Sequence, residues 1–303
     1  MTTLEEHTER IIETQWEIEA SVADVWRALT EARWLTNWFP TEARVTPIEG
    51  GKGGSIWMGW STGHEQFEAR IDQWDENSRL KLVYADPTPF EEVDEAIKNN
   101  TLIPFPIAAD FHLEAKGDST ILRLVHSGFS EDSSWDWQYH ATSRGWQFEL
   151  GGLKHYLEHH KGMPRFVIQT RHAFADISFD EAWQKLFSAN GLCNPGAGAG
   201  TGVGEETSGI ESLREGERYA FRNAQGDHFE GMVEICNPPH DFAGTVDNLN
   251  HARLRLKVDQ SCAEPGTSDV TFFLSTYELP ESRRAELQAN IERMMKTLFG
   301  TDR

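Results

Sequence analysis

Residues 131–161 read EDSSWDWQYHATSRGWQFELGGLKHYLEHHK. Trp135, Tyr139, Thr142, Trp146, Leu150, Leu153 and Leu157 recur at three- and four-residue steps, the spacing that stacks side chains on one face of a helix. Gln138, Arg144, Glu149, Lys154 and Glu158 occupy the other side and suit water. Such a helix, at ~1.5 Å per residue, crosses a whole small domain. Its apolar stripe is rich in aromatics and needs a broad partner surface, so the residues before it are expected to form a sheet.

Working back from the helix supports that expectation. Glu9–Glu19 alternates apolar and polar residues, as a strand does. Ser21 is an N-cap, with Asp24 in the place of a capping-box partner, and the helix behind it groups Val22, Val25, Trp26 and Leu29. Residues 32–39 read as a second short helix that Pro40 stops. Strands are expected at Ala43–Thr46, Ser55–Gly59, Gln66–Trp74, Arg79–Tyr84, Ala108–Ala115 and Thr120–His126, separated by glycine- and Asx-rich turns. Residues 86–106, bracketed by prolines, read as an excursion carrying a short helix near Glu91–Lys98. Strands joined by short turns favour an antiparallel sheet, whose apolar face must be covered. The helix at 131–161 is the cover.

The second half repeats the order. Arg165–Ala175 is a strand, and Ser178 with Glu181 forms a capping box. Ser178-Phe-Asp-Glu-Ala-Trp183 aligns with Ser21-Val-Ala-Asp-Val-Trp26 at an offset of about 157 residues, too long for a solenoid repeat. Strands follow at Thr207–Leu213, Arg218–Arg222, His228–Cys236, Asp241–Val246, Ala252–Val258 and Asp269–Leu279. Pro280 then opens a helix on which Leu287, Ile291, Met294, Met295 and Leu298 repeat. Two domains are expected, residues 1–161 and 165–303, linked through His160–Pro164. The fold class is α+β, each domain a curved antiparallel sheet of about seven strands wrapped on a long C-terminal helix.

Composition narrows the function. The 303 residues carry 28 basic against 49 acidic side chains, a formal charge of −21. Such a field repels phosphate backbones, and no basic stripe is present, which argues against nucleic acid and anionic membrane as partners. No apolar run approaches the ~20 residues of a membrane span, and MTTLEEHTER has no signal-peptide character; a cytoplasmic location is the expectation. Cys193, Cys236 and Cys262 are odd in number and lack CxxC spacing, so neither a disulfide framework nor a zinc ribbon is indicated.

Several segments carry a family resemblance. Ile18–Thr30 (IEASVADVWRALT), Leu35-Thr36-Asn37-Trp38-Phe39, and Gly145-Trp146 with Leu150, Leu153 and Leu157 resemble the AHSA1 group of the SRPBCC (START/Bet v 1-like) superfamily. The second half is similar only in its helix start and strand order. It lacks the Trp-Phe segment, has the glycine-rich Pro195–Gly204 in that place, and its closing helix has no Gly-Trp pair. The resemblance implies two helix-grip (Bet v 1-like) domains with a cavity between sheet and helix. Members mostly bind hydrophobic small molecules, while others are cyclases, hydroxylase components or co-chaperones; fold alone does not choose.

The residues themselves favour binding. Trp38, Phe39, Trp57, Trp60, Phe67, Tyr84, Phe111 and Trp146 fall on elements that would border a first-domain cavity, and sites for apolar ligands are aromatic-lined. These eight are the expected ligand-binding residues, the ligand an unidentified apolar or aromatic small molecule lying beneath Trp146. No catalytic set, cofactor or metal is expected. His155 and His159 have i, i+4 spacing but lack the HExxH pattern; Pro195–Gly204 satisfies neither GxGxxG nor a P-loop; no GxSxG elbow exists. His64-Glu65 is a conceivable acid/base pair in a loop, and Asp110 and His112 are assigned to opposite faces of one strand. The leading expectation is a non-enzymatic ligand-binding protein. The alternatives are a co-chaperone with a chaperone partner, and a cyclase- or hydrolase-like enzyme using the same cavity.

Overall fold

A computed structural model describes residues 9–48, 53–60, 65–84, 107–193, 213–260 and 267–300. The chain divides after Gly162 into two units. In the first, strand β1 (Glu9–Ile18) leads into helices α1 (Val22–Thr30) and α2 (Ala32–Leu35). Strands β2 (Glu42–Thr46), β3 (Ser55–Trp60), β4 (Glu65–Asp75), β5 (Arg79–Tyr84), β6 (Ala108–Lys116) and β7 (Ser119–Ser130) follow, and helix α3 (Asp136–His159) closes the unit. The sheet order is β1-β7-β6-β5-β4-β3-β2, antiparallel throughout, with Ile18 opposite Thr120 at one end of the β1–β7 pair and Glu9 opposite Ser130 at the other. Tight turns build such a meander; at the β6–β7 turn Gly117 has φ +63°, a left-handed conformation that glycine takes without strain.

The caps act as the sequence predicts. Ser21 Oγ accepts from Asp24 N (3.2 Å) and donates to Asp24 Oδ2 (3.0 Å), turning the chain out of β1 into α1. The start of α3 differs from expectation. Asp132 Oδ1 accepts from Ser134 N (2.8 Å), so Ser133–Trp135 form a 3-10 turn and the α-helix begins at Asp136. Its last turns are buried on more sides than one stripe allows. Tyr156, off the predicted face, receives hydrogen bonds at its hydroxyl from Asn37 Nδ2 and Gly162 N, each at 3.1 Å.

The second unit repeats this order: β8 (Arg165–Phe174), α4 (Phe179–Leu186), β9 (Leu192–Cys193), β10 (Arg218–Asn223), β11 (His228–Asn237), β12 (Asp241–Val246), β13 (Ala252–Gln260), β14 (Ser268–Tyr277) and α5 (Glu281–Phe299). Its sheet runs β8-β14-β13-β12-β11-β10-β9, the same arrangement as the first. Ser178 and Glu181 form a full capping box. Leu254, Leu256, Val258, Phe272 and Leu274 alternate toward Leu287, Ile291, Met294 and Met295 of α5 in one continuous core. The edge strand is a correction. It is Leu192–Cys193, a two-residue pairing too short to leave an alternation signal, while the expected strand at 207–213 lies outside the described residues apart from Leu213. The excursion at 86–106 and the glycine-rich 195–204 also lie outside them. Both units are therefore α+β helix-grip folds.

Candidate functional site

Strand alternation gives the first sheet an inner face made of Ile56 and Met58 from β3, Leu80 and Leu82 from β5, Phe111 from β6, and Leu122, Leu124 and His126 from β7. α3 crosses this face with Trp146 at its middle. Leu29 of α1 and Leu35, Trp38 and Phe39 around α2 close one side. The space left between them is a void of about 20 Å³, room for about one water molecule. The groove expected from the aromatic enrichment is thus filled by its own side chains.

Five of the eight expected residues, Trp38, Phe39, Tyr84, Phe111 and Trp146, line this void. Phe39 is their hub: its ring stacks on Trp38 (centroids 5.1 Å apart) and meets Trp146 at 5.6 Å and Trp60 at 5.3 Å. Trp60 and Phe67 do not touch the void. They continue the row of rings outward, 5.7 Å apart and edge to face, to the surface, where Phe67 is 37% exposed. Trp57 does not belong to the group. It lies between inward Ile56 and Met58 and so faces the opposite way, its ring folded over Gly59 and under the Arg44 guanidinium at 4.4 Å. Phe111 meets Trp146 edge to face at 5.7 Å.

The two indoles of the wall are pinned by hydrogen bonds. Trp38 Nε1 donates to Ala28 O at 2.9 Å, and Trp146 Nε1 donates to His126 Nδ1 at 2.6 Å. Phe39 has no polar atom to fix it and is only half-buried. The wall therefore has two sides fixed by side-chain hydrogen bonds and a third, Phe39, whose ring carries no hydrogen-bonding atom.

His126 lies behind the lining of the void, against Tyr84 and Trp146, and is a buried polar residue that the sequence reading passed over. The alternation Leu122, Leu124, His126 on an otherwise apolar face was the signal that marks it. The imidazole is 5% exposed, with Tyr84 stacked at 5.9 Å and Phe129 and Trp146 at 5.0 and 5.8 Å. Because an indole only donates, Nδ1 must be the bare nitrogen and Nε2 carries the proton. Nε2 is buried with no hydrogen-bond partner among the described residues. Desolvation lowers the pKa from 6.5 to about 3, so the ring is neutral at physiological pH. Desolvation also pushes the Tyr84 phenol up to about 12.

Other candidates resolve more simply. Asp110 and His112 are a correction: residues two apart on a strand share a face, and His112 Nε2 lies 3.2 Å from Asp110 Oδ1. Arg79 grips the same carboxylate through two bonds of 3.0 and 2.7 Å. Desolvation works to raise the Asp110 pKa, but Arg79 and His112 together hold it below the usual range. This is an ion-pair network on the outer face of the sheet. His155, His159 and His160 pack ring on ring, at 4.8 to 6.3 Å, yet no cluster of His, Cys, Asp or Glu among the described residues has the arrangement of a metal site. His64 lies outside the described residues. A wider hollow, about 750 Å³, opens at the surface between α1, α2 and the β4–β5 turn, with Trp26 and Trp74 edge to face at 5.2 Å beside it. No helix among the described residues is long and apolar enough to cross a membrane.

Residues 19–158 match the family described as Activator of Hsp90 ATPase homolog 1-like protein. No curated protein matches the sequence. Among solved structures, the di-domain ARO/CYC BexL from the BE-7585A biosynthetic pathway is 15% identical, with a TM-score of 0.42 over 95% of this chain and 93% of its own. DynU16, a protein in the dynemicin biosynthetic locus, is 17% identical, with a TM-score of 0.38 over 96% of each chain. The Aha1 dimer from Colwellia psychrerythraea is 22% identical, with a TM-score of 0.39 over 50% of this chain and 99% of that one.

Proposed function

We propose, from the premise that residues 19–158 form an AHSA1-like helix-grip domain, that the first unit binds a small apolar or aromatic molecule beneath Trp146. The observation that carries this reading is the asymmetric wall of the interior void. Trp38 and Trp146 are held by side-chain hydrogen bonds, whereas the Phe39 ring has no hydrogen-bonding atom, is half-buried, and borders a row that reaches the surface through Trp60 and Phe67. A void of about 20 Å³ admits no organic ligand; a benzene-sized one needs about 150 Å³. The difference is about the space of one aromatic ring, which outward rotation of Phe39 supplies. Binding is thus coupled to ring displacement, and affinity is lowered by whatever that displacement costs. The second unit, whose core is continuous from sheet to α5, serves a structural role.

Titrating the full-length protein with indane, and following tryptophan fluorescence, tests the proposal. Saturable binding is expected, tighter in Phe39→Ala, which removes the displaced ring. Absence of a saturable response in both proteins rejects it.

A second reading is carried by the surface hollow beside Trp26 and Trp74, whose size and mixed aromatic and charged lining suit a segment of a partner protein. The family description makes an Hsp90-type chaperone the partner to try. Retention in a pull-down that Trp74→Ala abolishes supports this reading; no retention removes it.

A further inference from the structure

The wall of the first-unit void is apolar in nearly every residue. Leucines, an isoleucine, a methionine and phenylalanines supply most of it, and only Trp38, Trp146 and Tyr84 bring side-chain nitrogen or oxygen atoms. Both indoles are already engaged. Trp38 Nε1 donates to Ala28 O at 2.9 Å and Trp146 Nε1 to His126 Nδ1 at 2.6 Å, and an indole has no second polar atom. Tyr84 differs: among the described residues no hydrogen bond engages its hydroxyl. It is the one lining side chain with a donor left to give.

Local structure holds this side chain in place. Strand alternation sets Tyr84 on the inner face of β5 after Leu80 and Leu82, all three in the lining. Its backbone N–H donates to Ile107 O at 3.0 Å. Its ring lies nearly parallel to the His126 imidazole, 20° from coplanar with centroids 5.9 Å apart, and Trp146 meets the same imidazole at 5.8 Å. Two rings of the lining thus share one backing behind the wall.

The chemistry of the wall then limits what can lie against it. No charged side chain lines the void, so a carboxylate or ammonium would lose its hydration with no countercharge in return. A trapped water needs two to four polar partners, and the wall offers one. Burial keeps the phenol protonated, its pKa pushed up to about 12, so it stands as a neutral donor. A ring system that fills the space vacated by Phe39 and carries one acceptor oxygen on its edge answers both the apolar walls and that donor.

We infer that the Tyr84 hydroxyl is the polar contact of the first-unit ligand site, and that the ligand is an uncharged aromatic molecule bearing a carbonyl or comparable acceptor oxygen. This inference rests on the reading of the interior as a ligand site and specifies its chemistry. A hydrocarbon of the same shape fills the space but leaves the hydroxyl unpaired, and that difference is the source of selectivity.

The test compares 1-indanone with indane, which differ by the acceptor oxygen, on the full-length protein. Tyr84→Phe deletes the hydroxyl and keeps the ring. It is expected to weaken 1-indanone about tenfold while leaving indane unchanged or tighter, the effect of losing one hydrogen bond to a buried acceptor. In the unsubstituted protein the carbonyl stretch of bound 1-indanone is expected below its position in cyclohexane, and in Tyr84→Phe back at it. The infrared measurement on the unsubstituted protein needs no variant and stands if Tyr84→Phe fails to fold. Equal effects of the substitution on both ligands, or a carbonyl stretch at its hydrocarbon position with indane still binding, overturn the contact and leave the cavity reading intact. If neither ligand binds to the unsubstituted protein or to Phe39→Ala, the cavity reading falls and the contact with it.

Discussion

Acid should destabilise the first unit through His126 more than through any exposed histidine. The imidazole must stay neutral in the fold, with its pKa lowered from 6.5 to about 3 by desolvation. The unfolded chain takes up a proton at this residue below pH 6.5, and the folded chain does not until about pH 3. Stability is therefore complete above the unfolded value and is lost as pH falls toward the folded one. Each pH unit in that window costs about 1.4 kcal/mol, so at about pH 5, some 1.5 units below the unfolded value, the loss is about 2 kcal/mol. The rings packed on His126 do not interfere: Phe129 and Trp146 do not titrate, and Tyr84 stays protonated far above this range. The control is His126→Gln, whose side-chain oxygen can accept from Trp146 without titrating. Urea unfolding followed by tryptophan emission is the assay, because ten of the eleven tryptophans precede Gly162 and report on the first unit. Between neutral pH and pH 5 the unsubstituted protein should lose about 2 kcal/mol more than His126→Gln, other carboxylates and histidines cancelling between the two. Equal losses would refute the argument, since they would mean that the folded state accommodates the charged ring.

Further expectations follow from particular contacts. Asp241 is fully buried and grips Arg255 through bonds of 3.0 and 2.6 Å; Asp241→Ala breaks this buried ion pair and should cost about 3–5 kcal/mol by calorimetry, whereas an apolar replacement of both partners should cost far less. Ser178→Ala removes the cap of α4 and should cost about 1 kcal/mol, with faster amide exchange in its first turn; Glu181, held below the usual carboxylate range by the Ser178 backbone N–H and hydroxyl, ties this cap to neutral pH and loses it on acidification. Burial pushes the Cys236 thiol pKa up, so iodoacetamide at pH 8 should modify it more slowly than a free cysteine peptide; an equal rate would count against that burial. Trp57→Ala, on the outer face of β3, should leave indane affinity within about twofold, as a rim residue with no ligand contact does.

The amino-acid sequence by itself determined the element order, the antiparallel meanders, the caps at Ser21 and Ser178, and the duplication. These rest on local rules: a period of two or 3.6 residues, turn chemistry, and side chains bonding to backbone three positions away. The inward placement of Trp146 was legible for the same reason, through its spacing from Leu150, Leu153 and Leu157. Trp57 shows where such rules stop, because alternation separates it from Ile56 and Met58 but does not say which set faces the helix. Tertiary structure decided that, by laying α3 over one face. It also decided that the void is nearly closed, since a leftover volume is the small difference between the space a sheet and helix enclose and the volumes of side chains from distant parts of the chain. Most consequentially, it joined His126 to Trp146. The two lie twenty residues apart on different elements, and only the crossing of α3 over β7 brings the indole N–H to one imidazole nitrogen and leaves the other buried with no hydrogen-bond partner among the described residues.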